Sequence, residues 1–404
     1  MRILILTDVF FPDTVGGAGR VAYHLSSELS LREHEIHVIT RNKEGELPDH
    51  QEINRNLSVH RFPSTRKESF LSFLSETKST ASLSRYLTRD ISFDLVCTHQ
   101  SLVSIGPLMS TPLKNTPTIH YFHSPWHEEF LIKKQRGGAE PGIKEKAIAF
   151  LMKQIERRVL RKADKVIVLS RYMLERVSKI HSYPKTRLIK IPGGVDLNRY
   201  CLPIGGKHAV RDTLGLSQDK TIFLTVRNLV PRMGLENLIE AFNQSDMMRD
   251  KGLLLIGGKG FLGESLKWKV QDSALQNVVR FLGHIPEEDL PQMYQASDFF
   301  VLPTRKLEGF GLVILEAMAS GTPALGTPIG GIPEVIGPFD RGLLFDGIGW
   351  QQIKSKIEEV ISDTTRRSRW APQACRDYVE ENFSWRRVAN TFEQVAKSLV
   401  AEEK

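Results

Sequence analysis

Short apolar runs of strand length recur along the chain, separated by stretches whose apolar residues fall three and four apart. In the first half the runs are Ile3–Asp8, Ile36–Thr40, Leu95–His99, Thr118–Phe122 and Val166–Leu169. Between them, Gly19–Leu31 carries Val21, Ala22, Leu25 and Leu29 at helical spacing, and Ile143–Lys162 also reads as a helix. Buried strands alternating with helices predict a parallel sheet covered on both faces. The pattern then restarts. Ile191-Pro-Gly-Gly-Val-Asp196 has the composition of a linker. Beyond it Thr221–Val226, Leu253–Ile256, Val278–Phe281 and Phe299–Leu302 read as strands, and Leu235–Phe242 as a helix. The expectation is an α/β chain of two Rossmann-like, doubly wound domains, residues 1–195 and 196–382, facing a central cleft. Ligands of such sheets sit at the carboxyl ends of the strands.

A length of 404 residues is too great for one ordinary core, which agrees with two domains. No apolar run approaches the ~20 residues of a membrane-spanning helix. The first residues, Arg2-Ile-Leu-Ile-Leu-Thr-Asp8, read as a strand rather than as an export signal, so a cytoplasmic location is expected. Cys97, Cys201 and Cys375 are scattered, and they suggest neither a disulfide framework nor a metal site. The net charge of +8 is uneven, with 31 Lys/Arg against 21 Asp/Glu in residues 1–200. The excess is densest over Leu131–Lys165, in Lys133, Lys134, Arg136, Lys144, Lys146, Lys153, Arg157, Arg158, Arg161, Lys162 and Lys165. Such a surface suits an anionic partner, whether membrane lipid, a phosphorylated lipid carrier or nucleic acid, or it is a solvated helix face; of these partners, nucleic acid is not expected. In Ile143–Lys162, the spacing sets Ile148, Leu151, Ile155 and Val159 on one face, opposite Lys153, Arg157 and Arg161.

Two motifs carry candidate chemistry. Phe11-Pro-Asp-Thr-Val-Gly-Gly-Ala-Gly-Arg20 lies between the first strand and the first helix. Gly16 and Gly17 would let a ligand approach the backbone at a helix N-terminus, although a tight turn without a ligand reads equally well. Gly16, Gly17 and Gly19 lack the G-x-G-x-x-G spacing of dinucleotide folds. The second motif, Glu308-Gly-Phe-Gly-Leu-Val-Ile-Leu-Glu316, follows the strand Phe299–Leu302. A helix starting near Gly311 and ending before Gly321 and Pro323 offers the N–H groups of Leu312 and Val313 to a phosphate. Glu308 before it and Glu316 within it can accept hydrogen bonds from sugar hydroxyls.

The second motif resembles the signature of the large family of retaining GT-B glycosyltransferases, in which two glutamates are separated by seven residues. The likeness runs through nearly the whole chain. It includes the Gly16-Gly17 turn, Arg32-Glu-His-Glu-Ile36, Ala163-Asp-Lys-Val-Ile-Val-Leu-Ser170, Pro192-Gly-Gly-Val-Asp196, Asn228-Leu-Val-Pro-Arg-Met-Gly234 and Phe281-Leu-Gly-His-Ile285. The resemblance implies that Glu308 binds the donor sugar, with Gly309, Phe310 and Gly311 lining its pocket. Leu312 and Val313 would hold the diphosphate, Arg232 would neutralise it, and Gly17 would admit it. Glu316 would hold the ribose, while His284 and Ile285 would bracket the base. His123, in Phe122-His-Ser-Pro-Trp126, stands where the family places a histidine near the reacting sugar. Asn228 and Met233 replace an arginine and a lysine usual in the family, and Arg227 is the nearest substitute cation. Family members commonly close with a helix returning to the first domain. Residues 383–404, with Trp385, Val388, Phe392, Val395 and Leu399 at helical spacing, fit that place.

The expected activity is retaining transfer of a hexose from a UDP-sugar, UDP-glucose on the family's habits, to a saccharide or lipid-linked acceptor. Fixed cations and helix N–H groups would stabilise the leaving diphosphate, with no cofactor and no catalytic metal. Three other readings stand beside it: a nucleotide-sugar epimerase of similar fold, a nicotinamide-dependent dehydrogenase, and a non-catalytic membrane- or carrier-binding protein.

Overall fold

The computed structural model describes residues 1–14, 16–42, 45, 47–64, 70–135, 140–363 and 366–402. The chain forms two units, one of Met1–Gly193 together with Trp385–Lys404, the other of Gly194–Ser384. Arg136, counted above among the basic residues, lies outside the described residues.

The first unit is built on eight strands: β1 (Arg2–Leu6), β2 (Glu35–Asn42), β3 (His50–Asn54), β4 (Leu57–Pro63), β5 (Leu95–Thr98), β6 (Thr118–Phe122), β7 (Lys165–Val168) and β8 (Leu188–Lys190). Their order across the sheet is β3-β4-β2-β1-β5-β6-β7-β8. Ile3, Leu4, Ile5 and Leu6 are all at most 1% exposed, because helices cover both faces. This explains why β1 shows an apolar run and not an alternation. β1 pairs in parallel with β2 and β5, Ile5 lying opposite both Val38 and Cys97. One departure from the expected parallel sheet is β3, which runs antiparallel to β4 at the edge. All five of its residues are exposed, so burial imposes no pattern on it.

The Ile143–Lys162 helix spans the expected residues, but it turns a different face inward. Ala149, Met152, Glu156, Val159 and Leu160 are buried, while Leu151 is half exposed. The expected stripe therefore holds only in part. Helical rotation carries Leu151 to the solvent side, together with Phe150 and Ile143, which are 61% and 89% exposed. The last helix, Trp385–Glu402, packs in the first unit through Trp385, Val388, Ala389, Phe392, Ala396 and Leu399. Its Trp385 ring stacks on His24 at 5.0 Å.

The second unit has five parallel strands: β9 (Thr221–Val226), β10 (Gly252–Gly257), β11 (Val279–Gly283), β12 (Phe299–Leu302) and β13 (Ala324–Gly326), in the order β11-β10-β9-β12-β13. The chain lays β9, β10 and β11 outward to one side, then returns to place β12 on the other side of β9. The crevice between the ends of β9 and β12 is the topological switch point, where open sheets of this kind bind ligands.

Candidate functional site

Arg227 immediately follows β9, and the loop carrying Glu308 follows β12. The two side chains meet at that switch point, Arg227 Nη2 donating to Glu308 Oε2 at 2.6 Å. Both are largely shielded, at 6% and 15% exposure. Arg227 Nη1 is buried and has no hydrogen-bond partner among the described residues. A buried guanidinium N–H left unsatisfied costs about 1–3 kcal/mol, which an anionic or hydroxylated ligand would recover.

Close backbone approaches build the loops around this pair. Gly234 has φ 75°, and a Cβ there would sit 1.8 Å from the Pro303 carbonyl oxygen. With no side chain at 234, the Arg232 carbonyl accepts from the Arg305 N–H at 2.8 Å. Arg232 Nη1 in turn donates to the Leu307 carbonyl at 2.9 Å. Gly330 does the same on the other side. It has φ 63°, and a Cβ would lie 2.0 Å from the Glu308 carbonyl oxygen, which instead accepts from Gly331 N–H at 3.0 Å. The loop from Pro303 to Glu308 is thus held between two glycine turns, Gly234 against Pro303 and Gly330 against Glu308. Gly330 and Gly331 were missed in the sequence, although two adjacent glycines ahead of a helix are their visible signal.

Gly311, at φ 95°, turns the chain into the helix Leu312–Ala319. The N–H groups of Leu312 and Val313 lie in its first turn, where no preceding turn supplies an acceptor. Ile314, Leu315, Ala317, Met318 and Ala319 are buried, and so is Glu316, at 4% exposure. A carboxylate on an otherwise apolar helix needs a partner, and the Tyr294 hydroxyl donates to Glu316 Oε2 at 3.0 Å. Tyr294 carried no signal in the sequence. Ile285, after β11, is buried, while the preceding His284 is exposed. A Cβ on Gly257 would meet Ile285 Cδ1 at 2.4 Å, so any larger residue at the end of β10 would push that side chain aside. Phe310 is buried and packs edge-on to Phe383 at 6.0 Å.

In the first unit, Gly16 caps and Gly17 begins the helix Gly17–Ser30, after β1. His123 follows β6, its Nε2 lying 3.0 Å from His99 Nδ1. His99 follows β5 and stacks on Tyr121 at 4.8 Å. Burial holds His123 down to about 4 and His120 to about 3, and puts His99 well below the ordinary imidazole range. A neutral His123 accepts or donates a proton only with the orientation its contact with His99 allows.

The histidines with lowered pKa, which also include His34, His60 and His181, all lie in the first unit. Neutral when folded, they protonate near 6.5 once exposed. Their contribution to stability is therefore complete above about pH 6.5 and is lost as pH falls through their lowered values. For buried His120 alone the loss is about 2 kcal/mol at pH 5. Hydrogen exchange followed from pH 7 to 5 should show the first unit opening before the second. Equal loss of protection in both units would contradict this.

The structure also assembles a group the sequence did not announce, because its members are far apart in the chain. His127, Glu156 and His181 are all buried and offer ligand atoms within 4.8 Å of one another. Glu156 is committed to internal contacts. One oxygen accepts from the Trp126 N–H at 2.7 Å, and the other lies 2.5 Å from His127 Nδ1. Burial raises the Glu156 carboxyl above its ordinary value.

Two family profiles match in succession: Glycosyltransferase Family 4 over residues 15–199, and Glycosyl transferases group 1 over residues 207–377. The GDP-mannose-dependent alpha-(1-6)-phosphatidylinositol monomannoside mannosyltransferase of Mycolicibacterium smegmatis is 31% identical over 57% of this chain and 61% of its own. A GDP-mannose-dependent monoacylated alpha-(1-6)-phosphatidylinositol monomannoside mannosyltransferase of Corynebacterium glutamicum is 32% identical over 58% and 62%. The match thus spans about three fifths of the length of these two curated relatives. The D-inositol 3-phosphate glycosyltransferase of Nocardia farcinica is 26% identical over 96% of this chain and 86% of its own. Among solved structures, sucrose-phosphate synthase from Thermosynechococcus elongatus superposes with a TM-score of 0.81 at 23% identity, covering 99% of both chains. No helix among the described residues is long and apolar enough to cross a membrane.

Proposed function

Because the chain belongs to the group 1 glycosyltransferases and has their GT-B fold, we propose that it transfers a sugar from a nucleoside diphosphate sugar to a saccharide or lipid-linked acceptor, with retention of configuration. The observation that carries this reading is Arg227 at the switch point, paired with Glu308 through one nitrogen and holding a second buried without a hydrogen-bond partner among the described residues. Glu308 receives the donor sugar's hydroxyls, and the backbone of Gly309, Phe310 and Gly311 shapes its pocket. The diphosphate lies against the N–H groups of Leu312 and Val313, with Arg227 and Arg232 as its cations. Glu316, held by Tyr294, binds the ribose. His284 and Ile285 contact the base through the main chain. His123, its Nε2 3.0 Å from His99 Nδ1, is the first unit's candidate for contact with the reacting sugar.

Negative charge grows on the diphosphate as the bond to the anomeric carbon breaks. The N–H groups and guanidinium groups are in place before that charge appears, so little reorganisation is needed. Glu308 is paired with Arg227 and Glu316 is hydrogen-bonded to Tyr294, so neither stands as a free nucleophile. This favours attack by the acceptor on the face the diphosphate leaves, and transfer should persist in a chelator. Neither the family match nor the named relatives support the epimerase. The mannosyltransferase relatives make GDP-mannose the first donor to try, beside the UDP-glucose expected from the family's habits. Incubation with a panel of nucleotide-sugars should release nucleoside diphosphate and sugar from one donor. Turnover of none, with or without candidate acceptors, would remove the assignment.

The acceptor is brought from an anionic membrane on which the Ile143–Lys162 helix rests. The exposed apolar residues Ile143, Phe150 and Leu151 lie among lysines and arginines on this helix. Each cation near an anionic surface contributes about 1 kcal/mol. Co-sedimentation with vesicles should rise with anionic lipid, fall with salt, and drop several-fold in F150S/L151S. Sedimentation indifferent to both lipid charge and these residues would leave the helix simply solvated.

A further inference from the structure

Behind the Ile143–Lys162 helix lies a cavity of about 190 Å³ that the transfer reaction does not use. Arg157, Arg161, His181, Ser182, Tyr183 and Arg187 line it, and no acidic side chain does. Arg157 Nε and His181 Nδ1 are buried without a hydrogen-bond partner among the described residues. The His181 side chain is 0% exposed. None of the three guanidinium groups is in an ion pair among the described residues. Arg176 and Lys185 both find carboxylates on this surface, whereas the three converging arginines, with Glu156 Oε2 3.7 Å from His181 Nε2 behind them, keep an excess of positive charge.

Position separates this cavity from the reaction. Arg161 is in the last turn of its helix, just ahead of β7, and Arg187 immediately precedes β8. The cavity therefore gathers residues from the amino ends of these strands. Gly17 and His123 follow the carboxyl ends of β1 and β6. Volume and charge narrow the ligand. The space exceeds the roughly 30 Å³ share of one water and falls short of the ~300 Å³ at which pockets for drug-sized ligands begin. A divalent cation on His127, Glu156 and His181 is disfavoured, because Lys153 and Arg157 already act on His181 as positive charges and both Glu156 oxygens are engaged.

We propose that this cavity is a phosphate-binding site, in which the Arg157, Arg161 and Arg187 guanidinium groups bind the oxygens of a phosphate group, with the buried His181 ring behind them. The forked guanidinium matches phosphate in geometry as well as charge. The site is independent of the proposed sugar transfer, and it binds phosphate whether or not a donor is present.

The test uses the full chain and R161Q/R187Q. Both of these side chains are exposed, so the fold should survive, as circular dichroism would verify. Calorimetry with inorganic phosphate and with glycerol 3-phosphate, at constant ionic strength, should show an affinity at least about tenfold weaker in the variant. Nucleoside diphosphate binding, which belongs to the second unit, should be unchanged. Vesicles matched in charge, bearing either phosphatidic acid or phosphatidylserine, distinguish the sources. Preference for phosphatidic acid that disappears in R161Q/R187Q assigns the site to a lipid headgroup. Binding of the soluble phosphates without such preference assigns it to a free one. Equal phosphate affinity in the wild type and the folded variant, or no phosphate binding by the wild type, overturns the proposal.

Discussion

A chain ending at Ser384 should lose the fold of its first unit while its second unit stays intact. The missing helix contributes Trp385 and Phe392, at 5% and 0% exposure, among six buried residues. Phe392 stacks on Tyr121 of β6 at 6.1 Å. Removing buried Trp and Phe side chains costs roughly 3–5 kcal/mol each, before Val388 and Leu399 are counted. That is comparable with the whole ~5–15 kcal/mol stability of a domain. Polar contacts go as well. Arg32 and His34 each lie 3.2 Å from Glu393, whose carboxyl is pulled down to about 2, first by Lys397 and then by these partners. Hydrogen exchange should show β1, β5 and β6 unprotected in the truncated chain and β9 to β13 as before. Native protection in the first unit would show that the helix is dispensable, and W385A/F392A in the full chain should reproduce part of the loss.

Changing Glu308 to Gln should lower transfer about 10- to 100-fold while the protein stays folded. A hydrogen bond to a charged group is worth roughly 1.5–3 kcal/mol, and each 1.4 kcal/mol is a factor of ten in rate. The amide oxygen can still accept from Arg227, so the buried guanidinium keeps a partner. A large fall in melting temperature would instead point to a chiefly structural pair. The distinguishing measurement is turnover with the accepted donor beside nucleoside diphosphate affinity. Turnover should collapse and affinity for the sugar-free nucleotide should hold. Wild-type turnover would remove Glu308 from the chemistry.

The sequence made the buried parallel strands legible, for a physical reason. Strands covered on both faces are mostly apolar, so Thr118–Phe122, Thr221–Val226 and Phe299–Leu302 stand out as runs and occur where expected. β3 did not stand out, because an exposed edge strand obeys no burial pattern. The orientation of the Ile143–Lys162 helix was misjudged because Leu151 and Met152 are equally apolar and only packing distinguishes them. At the switch point, the motif named Glu308 and Glu316 but neither of their partners as such. The Arg227–Glu308 and Tyr294–Glu316 contacts join residues 81 and 22 positions apart, and no local spacing encodes them. His127, Glu156 and His181 were invisible for the same reason.

The division of the first unit between residues 1–193 and the helix from Trp385 also imposes an order on biosynthesis. The ribosome delivers β1 to β8 first, then the whole continuous second unit, and only afterwards the helix that covers Tyr121. During that interval the groove awaiting Trp385 and Phe392 is an open apolar surface on a nascent chain. The second unit can mature while its neighbour waits. The first unit closes after it although synthesised before it, and in the meantime it is the natural client for a chaperone.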